Sequence, residues 1–525
     1  MTRTRRSFWS YLSSVAFSLV TVAVAIVSTP LLLAWLGAER FGAYRAASDW
    51  GGYLSLLELG LGNALLPLLA WSLARSDKDG LRATVAAGIR AYSWMALAML
   101  AGGIALGLIL PWLVPVSAAV VSDLRRGYWI GLLAILLVPL SPFRLLAEAA
   151  QKAYVVNGLL ILQSLLITGL ALVLARTGWG IAGQFLAAVV GAVIFYILLA
   201  RVGFPRMAVN GERIMVSGEP CHQPPPSTDN LPAAAEGKAL QEKLWKLNRP
   251  TLIHGICGRI SLLTDNIVIA ALLGPAAVVP FFLTQRLALL AQGQLQGIGN
   301  ASWAGLADLH AKGERESFAD RLLDLTSLVA ILGVACMAPI LVYNQHFVRF
   351  WVSGSQFGGE SLTVLAVVNG FLQAIFSLWG WAFSGTGQVA RLVPILVVGT
   401  GINLGASILC TLLLGLPGPL LGTFVAFVTV YLWSMPLLLR TVFGISPGLL
   451  LKAVAWPLLL GLPYAACVWW MARAHALAGW VDLACEMTLA GGIYLLLAWW
   501  LVLGRGERTF WRQRARLVFA RGSSI

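Results

Sequence analysis

Glu58, Arg259, Asp265 and Arg286 are charged residues set inside stretches otherwise apolar enough to lie in hydrocarbon. An ion facing lipid there is strongly disfavoured, so each should face a hydrated cavity or a partner. An arginine offers a planar fork of donors that fits phosphate oxygens two at a time. This makes Arg286 the first candidate for holding a phosphorylated headgroup and Arg259 the second, with Glu58 in the same group. Pairing of the arginines with Asp265 or Glu58 is the alternative. Gln285, Gln292, Gln294 and Gln296 flank Arg286, and Trp303 follows. Amides and an indole suit a sugar, by hydrogen bonding and stacking, and Gln285, Gln292 and Gln296 fall on roughly one helical face; the same amides would serve between packed helices. The histidines form no cluster and the cysteines show no metal-ligand spacing, so neither acid-base catalysis nor a metal cofactor is expected.

The elements that carry these residues must be membrane-spanning helices. Of 525 residues, 59% are hydrophobic and 11% charged, and the mean hydropathy is +0.81, which water-exposed surface could not accommodate. The apolar runs last about 20 residues instead of alternating over about 10, which selects helices over a barrel. Runs at 11–36, 46–74, 84–113, 127–147, 153–175, 180–201, 250–273, 280–307, 322–343, 360–383, 391–414, 418–439, 449–471 and 479–503 give about 14 spans in an all-α polytopic bundle. The first run is too long for a signal-peptide core and leads straight into another span, so it is expected to stay in the protein. With residue 1 in the cytoplasm, most basic residues fall at cytoplasmic ends, and only Arg40, Arg45, Arg125, Arg126, Arg176, Arg349 and Arg473 fall outside. Both termini are therefore expected inside, and the formal charge of +15 needs no nucleic acid to account for it.

The chain also repeats itself. Gly60-Leu61-Gly62-Asn63-Ala64 returns as Gly297-Ile298-Gly299-Asn300-Ala301, 237 positions later, and at the same offset Leu36-Gly37 falls on Leu273-Gly274, Tyr44 on Phe281 and Arg75 on Lys312. Both copies enter the membrane in the same direction, which implies two lobes related by an axis along the bilayer normal, facing each other across a central cavity. Gly60, Gly62, Asn63, Gly297, Gly299 and Asn300 read as packing positions, where small residues let helices approach. The segment 202–249 is rich in Pro, Ser and charge without periodicity, and reads as a flexible cytoplasmic linker with a short amphipathic piece at 240–247. The expected organisation is a first lobe over 1–201, this linker, a second lobe over 250–440, a further helix pair over 441–503 and a basic cytoplasmic tail over 504–525.

Leu36-Gly37-Ala38-Glu39-Arg40-Phe41-Gly42-Ala43-Tyr44, then Leu56-Leu57-Glu58-Leu59-Gly60-Leu61-Gly62-Asn63-Ala64, resemble the signature of the polysaccharide and O-antigen flippase branch of the multidrug/oligosaccharidyl-lipid/polysaccharide (MOP) exporter superfamily. Thr264-Asp265-Asn266-Ile267-Val268-Ile269-Ala270 and Leu273-Gly274 resemble the stretch that opens its second lobe. The resemblance covers roughly residues 8–201 and 248–440 and implies a MATE-like bundle plus the final pair found in fourteen-helix members. It implies a monomer of the bacterial inner membrane, set among membrane lipids beside a polysaccharide polymerase and assembly proteins. Such a protein moves a polyprenyl-diphosphate-linked oligosaccharide, an O-antigen or exopolysaccharide unit, between leaflets by alternating access.

Similarity to the lipid II flippases is more distant. Arg286 matches an arginine early in their eighth span, but the cavity arginines of their first two spans have no counterpart here beyond Arg45, near the start of the second. The ion site of the sodium-coupled members would fall on Asp265, Asn403 and Thr423, with Ser407 replacing a second acid. That implies Na+ coupling at Asp265 or, with one carboxylate gone, H+ coupling; a packed polar network is the alternative. Two other functions stand against the flippase. A cation-coupled multidrug or organic-cation antiporter of the same superfamily would favour carboxylates, aromatic faces and twelve spans. A membrane-embedded glycosyl or acyl transferase would need a general base and a substantial external loop.

Overall fold

The computed structural model describes residues 3–58, 61–74, 78–203, 233–475, 477–504 and 508. Those residues are almost entirely helical, as backbone groups in hydrocarbon must be. By contacts the chain divides into two compact units, Met1–Val279 and Pro280–Ile525.

In the first unit, α1 covers Arg3–Leu54, α2 Leu61–Ala74, α3 Lys78–Leu113, α4 Ala118–Leu132, α5 Ser141–Ala149, α6 Ala153–Arg176, α7 Gly180–Leu198 and α8 Ala233–Leu273. Helix α1 is two helices joined at Gly37, whose backbone sits at φ 77°, ψ 164°. Gly274, its partner in the sequence repeat, sits at φ 90°, ψ 157° where α8 ends. Side chains are excluded from that region, so the repeat persists as the same glycine-only corner used twice.

The residues after Gly37 explain the rest of the motif. Glu39 accepts hydrogen bonds from the backbone N–H and the hydroxyl of Ser117, and Arg40 lies 3.5 Å from Asp123. Asp123 in turn accepts from the backbone N–H groups of Ile181 and Ala182, at 2.8 and 3.1 Å, capping the start of α7. Gly42 presses against the Pro275 carbonyl so closely that any Cβ would collide with it. One short motif thus ties the α1 corner to the α3–α4 and α6–α7 connections and to the turn after α8.

Three expectations need correction. The second span does not start at 46: helix resumes directly after Gly37 because one left-handed residue makes the whole corner, and it then breaks through a 3-10 turn at Ser55–Glu58 before α2. The fourth span starts at Ala118, earlier than 127, because Asp123, Arg125 and Arg126 lie within a helix; it then narrows to a 3-10 stretch at Leu133–Leu140, where Pro139 lacks an N–H. Helix α8 begins at Ala233, well inside the expected linker, so the 240–247 piece is part of one long helix leading into the seventh span.

In the second unit, α9 covers Val278–Thr284, beginning just before the boundary, and α10 covers Arg286–Ala311. Helix α11 covers Arg315–Trp351, α12 Glu360–Gly385, α13 Val393–Leu414, α14 Gly418–Ala426, α15 Leu432–Phe443, α16 Pro447–Ala474 and α17 Trp480–Leu501. Helix α11 is the hub, packed by α10, α12, α16 and α17. A π-turn at Phe427–Tyr431 links α14 to α15. Beyond α10, outside the membrane spans, Lys312 donates to Asp308 at 2.7 Å, a bond that raises the Lys312 pKa above the ordinary lysine value.

Twelve of the described helices are long and apolar enough to cross a membrane, thirteen counting the bent pair Pro275–Thr284 and Arg286–Ala311. The first of them, Leu12–Glu58, runs through the Gly37 corner and so contains the first expected span and the start of the second.

Candidate functional site

Arg286 opens α10 at a 55° bend from the preceding segment. A bend frees a carbonyl that must find another donor. Here the Thr284 carbonyl accepts from Asn344 Nδ2 of α11 at 2.7 Å, and the same amide donates to Thr363 of α12 at 3.0 Å. The Thr284 hydroxyl accepts from the backbone N–H of Gly358 at 2.8 Å. The corner is therefore fixed by the Asn344 side chain of α11, itself tied to Thr363 of α12, and by the Gly358 backbone, and it sets a half-buried guanidinium, 5.6 Å from the Phe282 ring centroid, at the positive end of a 26-residue helix. Both features suit an anion.

The amides around Arg286 are used mainly for packing. Gln285 is buried at the bend, Gln292 lies against Gly370 of α12, and Gln296 donates to Ser377 of α12 at 3.1 Å. Gln294 and Trp303 are exposed. Gly299 packs on Trp381 and Leu378, whereas Gly297 faces open space and Asn300 is exposed.

In the first unit Asn266 Nδ2 donates to Asp49 Oδ2 at 2.7 Å, and the Tyr53 and Thr264 hydroxyls lie 2.6 Å apart, joining α1 to α8. Asp265 and Asp49 are close enough to feel each other's charge, and Arg45, one turn before Asp49, offsets it. The buried Asn266 Oδ1 has no hydrogen-bond partner among the described residues. Arg259 is exposed and forms no ion pair among them. Glu58 accepts from the Tyr92 hydroxyl at 3.0 Å, and Gly62 leaves room for that bond. Gly60 and the side chain of Asn63 lie outside the described residues.

Of the proposed ion set, Asn403, Ser407 and Thr423 come together in the second unit, while Asp265 belongs to the first. Asn403 Oδ1 accepts from Ser407 at 3.0 Å and from Thr423 at 3.3 Å, and both hydroxyls also lie within hydrogen-bond reach of the Pro419 carbonyl. Close contact of Gly418 and Gly422 with Thr411 and Ser407 brings α14 onto α13 and makes this possible. Asn403, Ser407, Thr423 and the Pro419 carbonyl thus form a closely knit polar network between α13 and α14. Among the described residues no group of three or more His, Cys, Asp or Glu side chains could hold a metal.

Sequence reasoning missed Asp49 and Asn344. Asp49 falls inside the expected run 46–74 but takes its partner, Asn266, from 217 positions away, and Asn344 acts on a residue 60 positions away.

No protein-family model and no curated protein sequence matches the chain. Solved structures do. The lipid II flippase MurJ in an inward closed conformation is similar at TM-score 0.68 and 13% identity, over 93% of this chain and 97% of that one. An inward-facing multidrug resistance MATE family transporter of the MOP superfamily is similar at TM-score 0.59 and 15% identity, over 81% of this chain and 99% of that one. An outward-facing MATE transporter of that superfamily reaches TM-score 0.53 at 14% identity, over 89% and 97%. The chain thus has the fold shared by MurJ and the MATE transporters of the MOP superfamily.

Proposed function

We propose that the protein is a transporter of the MOP superfamily, a flippase that carries a polyprenyl-diphosphate-linked oligosaccharide from the cytoplasmic to the outer leaflet of a bacterial inner membrane. The observation that carries this reading is Arg286 at the braced bend opening α10, where a guanidinium and a helix N-terminus present positive charge suited to a diphosphate. Arg259, exposed on α8, is the second cation offered to the headgroup. Fourteen crossings, two lobes and cytoplasmic termini belong to the same proposal, supported by the repeated glycine corner at Gly37 and Gly274 and by the basic ends of the helices.

Coupling is assigned to Asp49 and Asp265. Two carboxylates that feel each other inside a span are relieved by a proton or a monovalent cation, and the orphan Asn266 oxygen adds a hard acceptor beside Asp49. Exchange of that ion between the two sides would drive the alternation.

The test is surface glycan export in cells that depend on this protein. Arg286→Ala should abolish export at normal protein level, and Arg286→Lys should restore only part of it, because an ammonium lacks the fork. Full export by Arg286→Ala would remove the assignment.

A further inference from the structure

Helices α6 and α7 enclose an apolar groove of about 360 Å³ that the transport reading does not use. Its walls include Leu165, Leu166, Gly169 and Val173 from α6 and Val190 and Gly191 from α7, with almost no polar surface. Gly191 is where the helices meet, since a Cβ there would collide with Ile167; Gly169 is where they part, with nothing within 4 Å of its Cβ position. From Leu165 to Val173 the groove follows about 12 Å of helix, close to the depth of one leaflet's hydrocarbon, about 15 Å.

The stripe that lines the groove does not end in more aliphatic surface. Positions 169, 173 and 176 fall on one helical face, so Arg176, the last residue of α6, stands one turn beyond Val173 on the groove side. Cα–Cβ bonds in a helix lean toward its N-terminus, so a side chain at 176 leaves the backbone toward the turn that carries Val173. It is exposed and forms no ion pair among the described residues, and Trp179, 52% exposed in the following turn, marks the level of the membrane interface.

We infer that this groove is a binding site for one anionic phospholipid of the leaflet on the Arg176 side, with an acyl chain between α6 and α7 and the phosphate on the Arg176 guanidinium. The aliphatic walls select a hydrocarbon chain over a peptide or sugar, and the Arg176 cation beyond Val173 selects a lipid with negative charge. The inference does not depend on what the protein transports.

The full-length protein would be reconstituted in vesicles of phosphatidylethanolamine and phosphatidylglycerol with a trace of either lipid carrying a photoactivatable acyl chain, irradiated, and its adducts mapped by peptide. Phosphatidylglycerol should label the peptides covering 165–173 and 190–194 in preference to phosphatidylethanolamine. Gly169→Leu, which projects into open space, should lower that labelling about tenfold by occupying the chain's place, and Leu166→Trp is a second way to fill it. Gly158→Leu, at a glycine of the same helix with equally open surroundings but outside the groove, should leave labelling unchanged. Arg176→Gln should reduce the preference for phosphatidylglycerol about fivefold. Equal labelling of the wild type and both filled variants, equal labelling by the two lipids, or displacement of phosphatidylglycerol by a prenyl diphosphate would each overturn the site.

Discussion

Replacing Asn344 with alanine should loosen the corner that positions Arg286. The Asn344 amide makes two buried hydrogen bonds, 2.7 Å to the Thr284 carbonyl and 3.0 Å to Thr363. Side-chain hydrogen bonds between membrane helices contribute about 0.6 kcal/mol each, and a buried carbonyl left without a donor costs a further 1–3 kcal/mol or so. Thr363 keeps its own bond to the Gly359 carbonyl, so the uncompensated loss falls on Thr284. A total of about 2 kcal/mol corresponds to a rise of about 30-fold in the open population of this corner. Amide hydrogen exchange of the full-length protein in detergent reads that number directly: peptides spanning 280–290 should exchange about 30-fold faster, while those in α13 and α14 should not change. Exchange at the bend within about threefold of wild type would mean that Asn344 does not hold the corner and that the bend has another cause.

Two further outcomes follow from the first unit. Gly37→Ala and Gly274→Ala should each destabilise the protein by about 1–3 kcal/mol, because both force a side chain into a glycine-only region; chemical unfolding that shows one position tolerant would break the structural equivalence of the repeat. Asp265→Asn removes one of two neighbouring carboxylates, so thermal stability should hold or rise while transport loses its dependence on an imposed ion gradient. Unchanged gradient dependence in proteoliposomes would take coupling away from Asp265.

Much of the architecture was legible from local pattern, and the failures share one cause. The Gly37 and Gly274 corners could be found because a glycine-only conformation leaves the same residues in both copies. Asn403, Ser407 and Thr423 are grouped by resemblance to the sodium-coupled lipid II flippases, and that Asn403 accepts from Ser407 and Thr423 together depends on α14 lying against α13. The break at Ser55–Glu58 has no proline or glycine within it. The bend at Thr284 is fixed by Asn344 from another helix, which no window along the chain contains. Charges near Asp123 read as a loop until Asp123 is seen capping α7 and facing Arg40. Glu58 is grouped with the headgroup candidates, and the tyrosine hydroxyl from α3 that it holds lies 34 positions away in the chain. Local sequence displays propensity and periodicity, while these features arise where distant helices satisfy one another's polar groups.

The most direct test of the transport reading uses cells that accumulate the lipid-linked oligosaccharide, labelled from outside with a reagent that cannot cross the inner membrane. With the protein present, the labelled outer-leaflet pool should appear; without it, or with Arg286→Ala, the same lipid should remain on the cytoplasmic side. An outer-leaflet pool of equal size in cells lacking the protein would contradict the account.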